Sequence, residues 1–244
     1  MCRHIGYVGR PVTLHSLVYE PEHSLEHQSY APELNLFNKL NADGFGVGWY
    51  HQGRAVRYRR TQPIWTDASF ADVARAVSAG CVVAAVRSAT AGFPVDESCS
   101  QPLRYGRWLF SHNGLITDFA GVEAKVRDAA GDLAAVPEAR APFDSAPLFA
   151  MAVGAWRSGA SLAEGLSRTV AAITAIAGGR FNLLASDGTT LAATTWGDSL
   201  FVRSGPGFQV IASEPYDKDP SWRRVPDRSL VTATGEGAVR IDPL

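Results

Sequence analysis

At 244 residues, with 46% hydrophobic and 19% charged side chains, the chain is long enough to bury a sizeable core and has the balance of an ordinary globular protein. A formal net charge of −1 gives no global electrostatic reason to expect nucleic acid or an anionic membrane as partner. Three cysteines (Cys2, Cys81, Cys99) without CxxC or zinc-type spacing make no disulfide framework, and with no leader-like N-terminus and no run near ~20 apolar residues they point to a cytoplasmic protein.

Ile5–Val8 read as a first strand with Cys2 at its start. Residues 15–40 read as a polar loop, because His15, His23 and His27 are not spaced to put a metal-ligand set on one face. In Asp43-Gly44-Phe45-Gly46-Val47-Gly48-Trp49-Tyr50 the glycines sit inside an alternating strand rather than between strand and helix. That excludes a dinucleotide fingerprint and marks the close approach of another backbone or a ligand. His51-Gln52-Gly53 turns the chain into a strand at 54–60, whose arginines suggest a solvated face.

Ser69–Ala79 has helical spacing and stops at Gly80. Val82–Val86 is a buried strand that delivers Arg87, and Trp108–Phe110 is a second that delivers Ser111-His112-Asn113-Gly114. Residues 119–136 read as a helix with Phe119, Val122, Val126 and Leu133 on one stripe. Asp144-Ser145-Ala146-Pro147 opens another helix (Leu148–Trp156), and Ser161…Glu164 is a capping box for a third that ends at Gly178-Gly179. Strands follow at 180–186, 189–196, 199–203, 208–213 and 229–241. Helices grouped mid-chain between strands joined by hairpins predict one α+β domain with layered antiparallel sheets.

Cys2 is the residue with most chemistry in it. Once an initiator methionine is removed, a second-position cysteine carries a thiol and a free α-amine together, and the neutral amine can act as general base for the thiol. Retained Met1 would move the free amine one Cα step, ~3.8 Å, away. Taken singly, each candidate also has a plain structural reading. Cys2 can be a small apolar residue starting a strand, Asn113-Gly114 a hairpin turn, and Asp144 a helix N-cap. His4 and His112 read as structural, Cys81 as a buried thiol and Cys99 as a loop thiol.

Cys2, Arg87-Ser88-Ala89-Thr90, His112-Asn113-Gly114 and Asp144, in that order and spacing, resemble the class II glutamine amidotransferases over nearly the whole chain. The resemblance implies a four-layer αββα sandwich of two antiparallel sheets between helices (the N-terminal nucleophile hydrolase fold), with 2–244 as a single domain from which Met1 is removed. It implies Cys2 as nucleophile on a γ-glutamyl amide, with Asn113 and Gly114 as the oxyanion hole. It further implies Arg87 and Thr90 at the α-carboxylate, Asp144 at the α-ammonium, a small-molecule γ-glutamyl substrate, and no cofactor, metal, nucleic acid or membrane. An arginine fork suits a bidentate carboxylate contact.

The opening Cys-Arg-His-x-Gly-Tyr, Asp43–Tyr50 and Ala212-Ser213-Glu214-Pro215 look most like the free-standing amidohydrolases of ergothioneine biosynthesis. That branch implies γ-glutamyl-hercynylcysteine sulfoxide as substrate, whose trimethylammonium could meet Trp49, Trp65 or Trp108 by cation–π contact. The rival expectations are a glutaminase subunit feeding a separate synthase, since no sequence remains for a fused one, and a non-catalytic module on the same fold. Two positions depart from the family: Ser88 replaces a frequent tryptophan, and Gln101-Pro102 replaces a frequent His-Pro.

Overall fold

The computed structural model describes residues 2–34, 39–132 and 135–244; Met1 and Leu133, named above, lie outside them. Among the described residues the strands are β1 (Arg3–Thr13), β2 (Phe45–His51), β3 (Arg54–Arg60), β4 (Ser78–Val86), β5 (Leu103–Tyr105), β6 (Trp108–Ile116), β7 (Gly179–Ser186), β8 (Thr190–Thr195), β9 (Phe201–Gly205), β10 (Phe208–Ala212), β11 (Arg223–Arg224), β12 (Ser229–Thr234) and β13 (Arg240–Pro243). The helices are α1 (Leu14–Val18), α2 (Leu25–Tyr30), α3 (Ala68–Ala76), α4 (Phe119–Ala129), α5 (Ser145–Arg157) and α6 (Leu162–Thr174).

The strands form two antiparallel sheets, in the orders β11-β9-β10-β1-β4-β2-β3 and β13-β12-β8-β7-β6-β5. Side chains alternate across a strand, and that alternation builds the layers. Val8, Val83, Leu109, Leu184, Val202 and Ile211 pack between the sheets. On the outer face of the first sheet, Ile5, Tyr7, Val82 and Ala84 pack with Leu14, Leu17 and Phe70 of the early helices. Behind the second sheet, Phe110, Phe181 and Leu183 pack with Phe149, Val153, Leu166 and Val170 of α5 and α6. The result is α+β in four layers, αββα, each large apolar side chain contributing about 1.5–3 kcal/mol on burial.

Glycine lets the sheets meet closely. A Cβ on Gly46 would lie 2.4 Å from the Gln101 carbonyl and one on Gly48 2.8 Å from Leu109 Cδ1. The close approach expected at these β2 glycines is therefore backbone and core of the opposite sheet.

Several boundaries differ from expectation. The 15–40 stretch contains α1 and α2, started by Thr13 and Ser24, whose hydroxyls accept the N–H groups of Ser16 and His27. Helices of five and six residues are too short to show a period. The helix expected over 69–79 ends at Ala76, because Ser78 and Ala79 pair with Thr13 and Val12 and draw Gly80 into β4. The helix expected over 119–136 ends at Ala129, with Gly131 at φ 73° just beyond. The single strand expected over 229–241 is a hairpin, β12 paired with β13. The basic strand is not simply solvated: Arg57 and Arg59 are mostly buried and reach Glu138, which lies beside β5 of the other sheet, while Arg54 and Arg60 stay exposed.

Candidate active site

β1 lies inside its sheet, paired with β4 on one side and β10 on the other, so the residue before it is held from both flanks. That residue is Cys2, 8% exposed. Arg3 beside it is wholly buried, with Nε 3.0 Å from Glu214 Oε1 and Nη1 4.0 Å from Asp198, at ion-pair distance but off the line of a hydrogen bond. Glu214 also meets His23 Nε2 at 3.0 Å and accepts the Glu33 N–H at 2.8 Å. Burial alone would raise its pKa, but His23, Arg3 and the backbone donors together hold it below the ordinary value. Asp198 is shifted the other way, upward, because burial outweighs Arg3 and Arg180. His4 points between the sheets, its Nδ1 3.2 Å from Ser111 Oγ, and burial lowers its pKa to about 3, so it is neutral.

The second component is an edge. β5 reaches along β6 only as far as the Leu103–Phe110 pair, leaving 111–116 of β6 with no strand on that side. The outward N–H groups there belong to His112, Gly114 and Ile116. His112 donates to Gln101 Oε1 at 2.5 Å, and Gln101 Nε2 returns a bond to the His112 carbonyl at 3.1 Å. The Ile116 N–H donates to Asp144 Oδ2 at 3.0 Å. Side chains thus close the edge on either side of Gly114, whose N–H faces the opening between them. The other face of Gly114 admits no side chain, since a Cβ there would lie 1.9 Å from the Arg180 carbonyl.

Asn113-Gly114 is therefore strand, in register with Asn182 and Phe181, and not a hairpin turn; the polar residues expected at the end of the strand lie inside it. Asn113 faces between the sheets, wholly buried, with Nδ2 donating to Ser213 Oγ at 3.5 Å. A buried carboxamide and a backbone N–H on consecutive residues can bind an oxyanion. Asp144 makes no capping bond to α5, so the N-cap reading does not hold. Its Oδ1 is 3.4 Å from Ser145 Oγ, which in turn meets His112 Nδ1 at 2.9 Å. His112 Nε2 donates to the Arg180 carbonyl at 2.9 Å, so the ring is tied on the helix side of its sheet, on the face opposite Asn113.

The third component is the end of β4. Arg87, 3% exposed, pairs through its backbone with Gly44 and Asp43, and Asp43 Oδ2 accepts the Ala89 N–H at 2.8 Å. Arg87 Nη1 donates to the Pro94 carbonyl at 3.0 Å, with the Phe143 ring 5.8 Å from the guanidinium. Its Nε and Nη2 have no partner among the described residues, which leaves half of the fork available to an anion. Thr90 is exposed, on the rim of a cavity of about 550 Å³ bounded also by Phe93, Ile116, Phe119 and Pro142.

Other candidates lie elsewhere. Trp49 packs in the outer layer of the first sheet and Trp108 against Tyr105 and Trp156 in the helix layer of the second. Trp65 is half-exposed, edge-on to Tyr30. Cys81 sits 2.9 Å from Ser186 Oγ, and burial pushes its thiol up to about 12. Cys99, expected as a loop thiol, is buried in a single helical turn (Glu97–Cys99). Among the described residues, no group of three or more His, Cys, Asp or Glu is placed to hold a metal and no helix is long and apolar enough to cross a membrane. Sequence reasoning missed Arg3, Gln101 and Ser213-Glu214 as parts of the site; the last lay inside a noticed motif, but only the β1–β10 register brings it to Cys2.

The sequence matches the family described as Glutamine amidotransferases class-II over residues 20–209. It is 42% identical over 233 residues to the gamma-glutamyl-hercynylcysteine sulfoxide hydrolase of Mycolicibacterium smegmatis, covering 95% of each chain. The protein of that name from Mycobacterium tuberculosis is 41% identical, over 97% of this chain and 94% of that one. Among solved structures, a glutamine aminotransferase class-II domain protein from Silicibacter pomeroyi superposes with a TM-score of 0.71 at 22% identity, over 99% of both chains. The glutamine PRPP amidotransferase of B. subtilis does so with a TM-score of 0.71 at 16% identity, over 99% of this chain and 49% of that one. At these identities the solved structures speak for the fold alone.

Proposed function

Because the chain belongs to the class II glutamine amidotransferases, we propose that it is a γ-glutamyl amidohydrolase of ergothioneine biosynthesis, acting on γ-glutamyl-hercynylcysteine sulfoxide. Residues 2–244 form one catalytic domain, and loss of Met1 makes Cys2 the N-terminal residue. Its α-amine takes the thiol proton as the sulfur attacks the γ-carbonyl. The oxyanion is met by the Gly114 N–H and the Asn113 carboxamide, each donor being worth roughly 2.7–4 kcal/mol of transition-state stabilisation. Collapse expels the amine of hercynylcysteine sulfoxide, which leaves with the proton held by the α-amine. Water, deprotonated by the same amine, then cleaves the γ-glutamyl thioester to glutamate and restores the thiol.

Arg87 and Thr90 take the α-carboxylate and Asp144 the α-ammonium, so a γ-glutamyl handle is recognised whatever lies beyond the amide. Ser88, small where the family often carries tryptophan, leaves room for a leaving group larger than ammonia. The single observation that carries the reading is the Gly114 N–H left open between two closed edge positions, beside the buried Asn113 carboxamide. Three free thiols suit a cytoplasmic setting.

Two measurements test the reading. Intact mass before and after a diazo-ketone glutamine analogue should show loss of Met1 and one adduct, on Cys2. Substrate profiling should show the sulfoxide conjugate turned over faster than free glutamine; glutamine turned over at least as well would make the protein a glutaminase.

A further inference from the structure

Two asparagines sit opposite one another on β6 and β7, and their carboxamides are treated differently. Asn182 has both ends bonded: Nδ2 donates to the carbonyls of Asp198 and Ser199, each at 3.1 Å, and Oδ1 accepts the Trp196 N–H at 2.9 Å. It fastens the turn after β8. Asn113, its register partner, is placed with Nδ2 donating to Ser213 Oγ at 3.5 Å, the long limit of such a bond, and with Oδ1 buried and without a partner among the described residues. A carboxamide's oxygen and nitrogen are told apart only by the bonds they make, so Ser213 decides which end is which.

The Ser213 hydroxyl already accepts the His4 N–H at 3.0 Å. Its own proton therefore needs an acceptor, and the near end of the Asn113 carboxamide is the group within reach. As placed, the hydroxyl accepts twice, its own proton meets no acceptor among the described residues and Oδ1 meets no donor; with the two ends of the carboxamide exchanged, that proton is donated to Oδ1. In that exchanged arrangement the oxygen faces Ser213 and the NH2 faces away from it. Ser213 itself has little freedom: its N–H donates to the His4 carbonyl at 3.0 Å, its carbonyl accepts Ser199 Oγ at 2.8 Å, and the next residue is Glu214, held by Arg3 and His23.

We propose that Ser213 is a positioning residue which fixes the Asn113 carboxamide with its NH2 toward the substrate carbonyl, so that the oxyanion hole is assembled before substrate arrives. The proposal rests on reading Asn113 as an oxyanion donor. It joins the two ends of the chain: the residue that aims the donor comes from just after β10 and is oriented by the main chain two residues beyond the nucleophile.

The test is a double-mutant cycle on γ-glutamyl-hercynylcysteine sulfoxide. Ser213→Ala should lower kcat by roughly one to two orders of magnitude, short of the ~10²–10³ that removing an oxyanion donor costs, and leave KM unchanged. Ser213→Thr, which keeps the hydroxyl, should recover rate over Ser213→Ala. In an Asn113→Ala background Ser213→Ala should cost nothing further, because the group it orients is gone. Thermal melts of the same proteins show that each is folded. Wild-type kcat in Ser213→Ala beside a slow Asn113→Ala, or equal losses in both backgrounds, would overturn the role of Ser213 alone. Wild-type kcat in Asn113→Ala would overturn the oxyanion reading and this proposal together.

Discussion

Asp144 ties two layers together: its Oδ2 accepts the backbone N–H of Ile116 at 3.0 Å, so a carboxylate leading into α5 completes the open edge of β6. The same carboxylate is the one assigned to the substrate ammonium, and two variants separate its tasks. Asp144→Asn keeps an oxygen for Ile116 and removes the charge. It should melt close to wild type while KM for the γ-glutamyl substrate rises about tenfold or more, the scale of a lost charged hydrogen bond of ~1.5–3 kcal/mol. An unchanged KM would mean that Asp144 serves the fold and nothing else.

Gly114→Ala is the sharpest change of a single methyl. The added carbon would fall 1.9 Å from the Arg180 carbonyl and 2.6 Å from His112 Nε2. Both neighbours are fixed, the first in β7 and the second by its bond to that carbonyl. The strand must shift, so the variant should melt lower and lose activity beyond what its lower stability explains. Wild-type kcat in this variant would remove Gly114 from the oxyanion hole.

The thiols should sort by environment. Burial raises the Cys81 thiol to about 12 and raises that of Cys99 as well, so at pH 8 both remain protonated and poorly nucleophilic. Native protein treated with iodoacetamide at that pH should gain at most one adduct, on Cys2, and three once unfolded. Mapping by mass after digestion reads this directly, and early modification of Cys81 or Cys99 would contradict the packing described.

Glu214 predicts a pH dependence of stability. Its folded pKa lies below the ordinary carboxylate value, so its contribution is complete above that value and is lost as pH falls through the depressed one. Asp198, shifted upward by burial, does not contribute in that sense. At pH 7, Glu214→Gln should therefore be less stable by about 3–5 kcal/mol, the cost of stranding a buried partner, here Arg3. Urea titrations should show wild type losing more stability than the variant between pH 7 and pH 3. Parallel curves would show that Glu214 is not the group responsible.

Much of this was legible in the sequence, and for identifiable reasons. Val82–Val86 and Trp108–Phe110 announced buried strands by composition alone, and the Ser161–Glu164 box is formed as written. Within Asp43 to Tyr50 the strand read there is present from Phe45 onward, with Gly46 and Gly48 at a close approach, while Asp43 and Gly44 precede it. What stayed hidden depends on partners distant in sequence. Nothing near Arg57 names Glu138, and nothing near Gln101 says that its amide will stand in for a missing strand beside His112. Asn-Gly looked like a turn because its use within a strand is decided by the Arg180 carbonyl, 66 residues away by number (180 − 114).

β1 lies between β4 and β10, and the bond from the His4 N–H to Ser213 Oγ spans 209 residues. The part of the chain made first is thus among the last to be seated. While a ribosome is still adding the middle helices, Cys2, the proposed nucleophile, has one flanking strand at most and Asn113 has no Ser213 beside it. Loops of that span close late and slowly. Catalytic competence should therefore arrive abruptly, with the final strands, and the growing chain carries a thiol that is not yet a hydrolase.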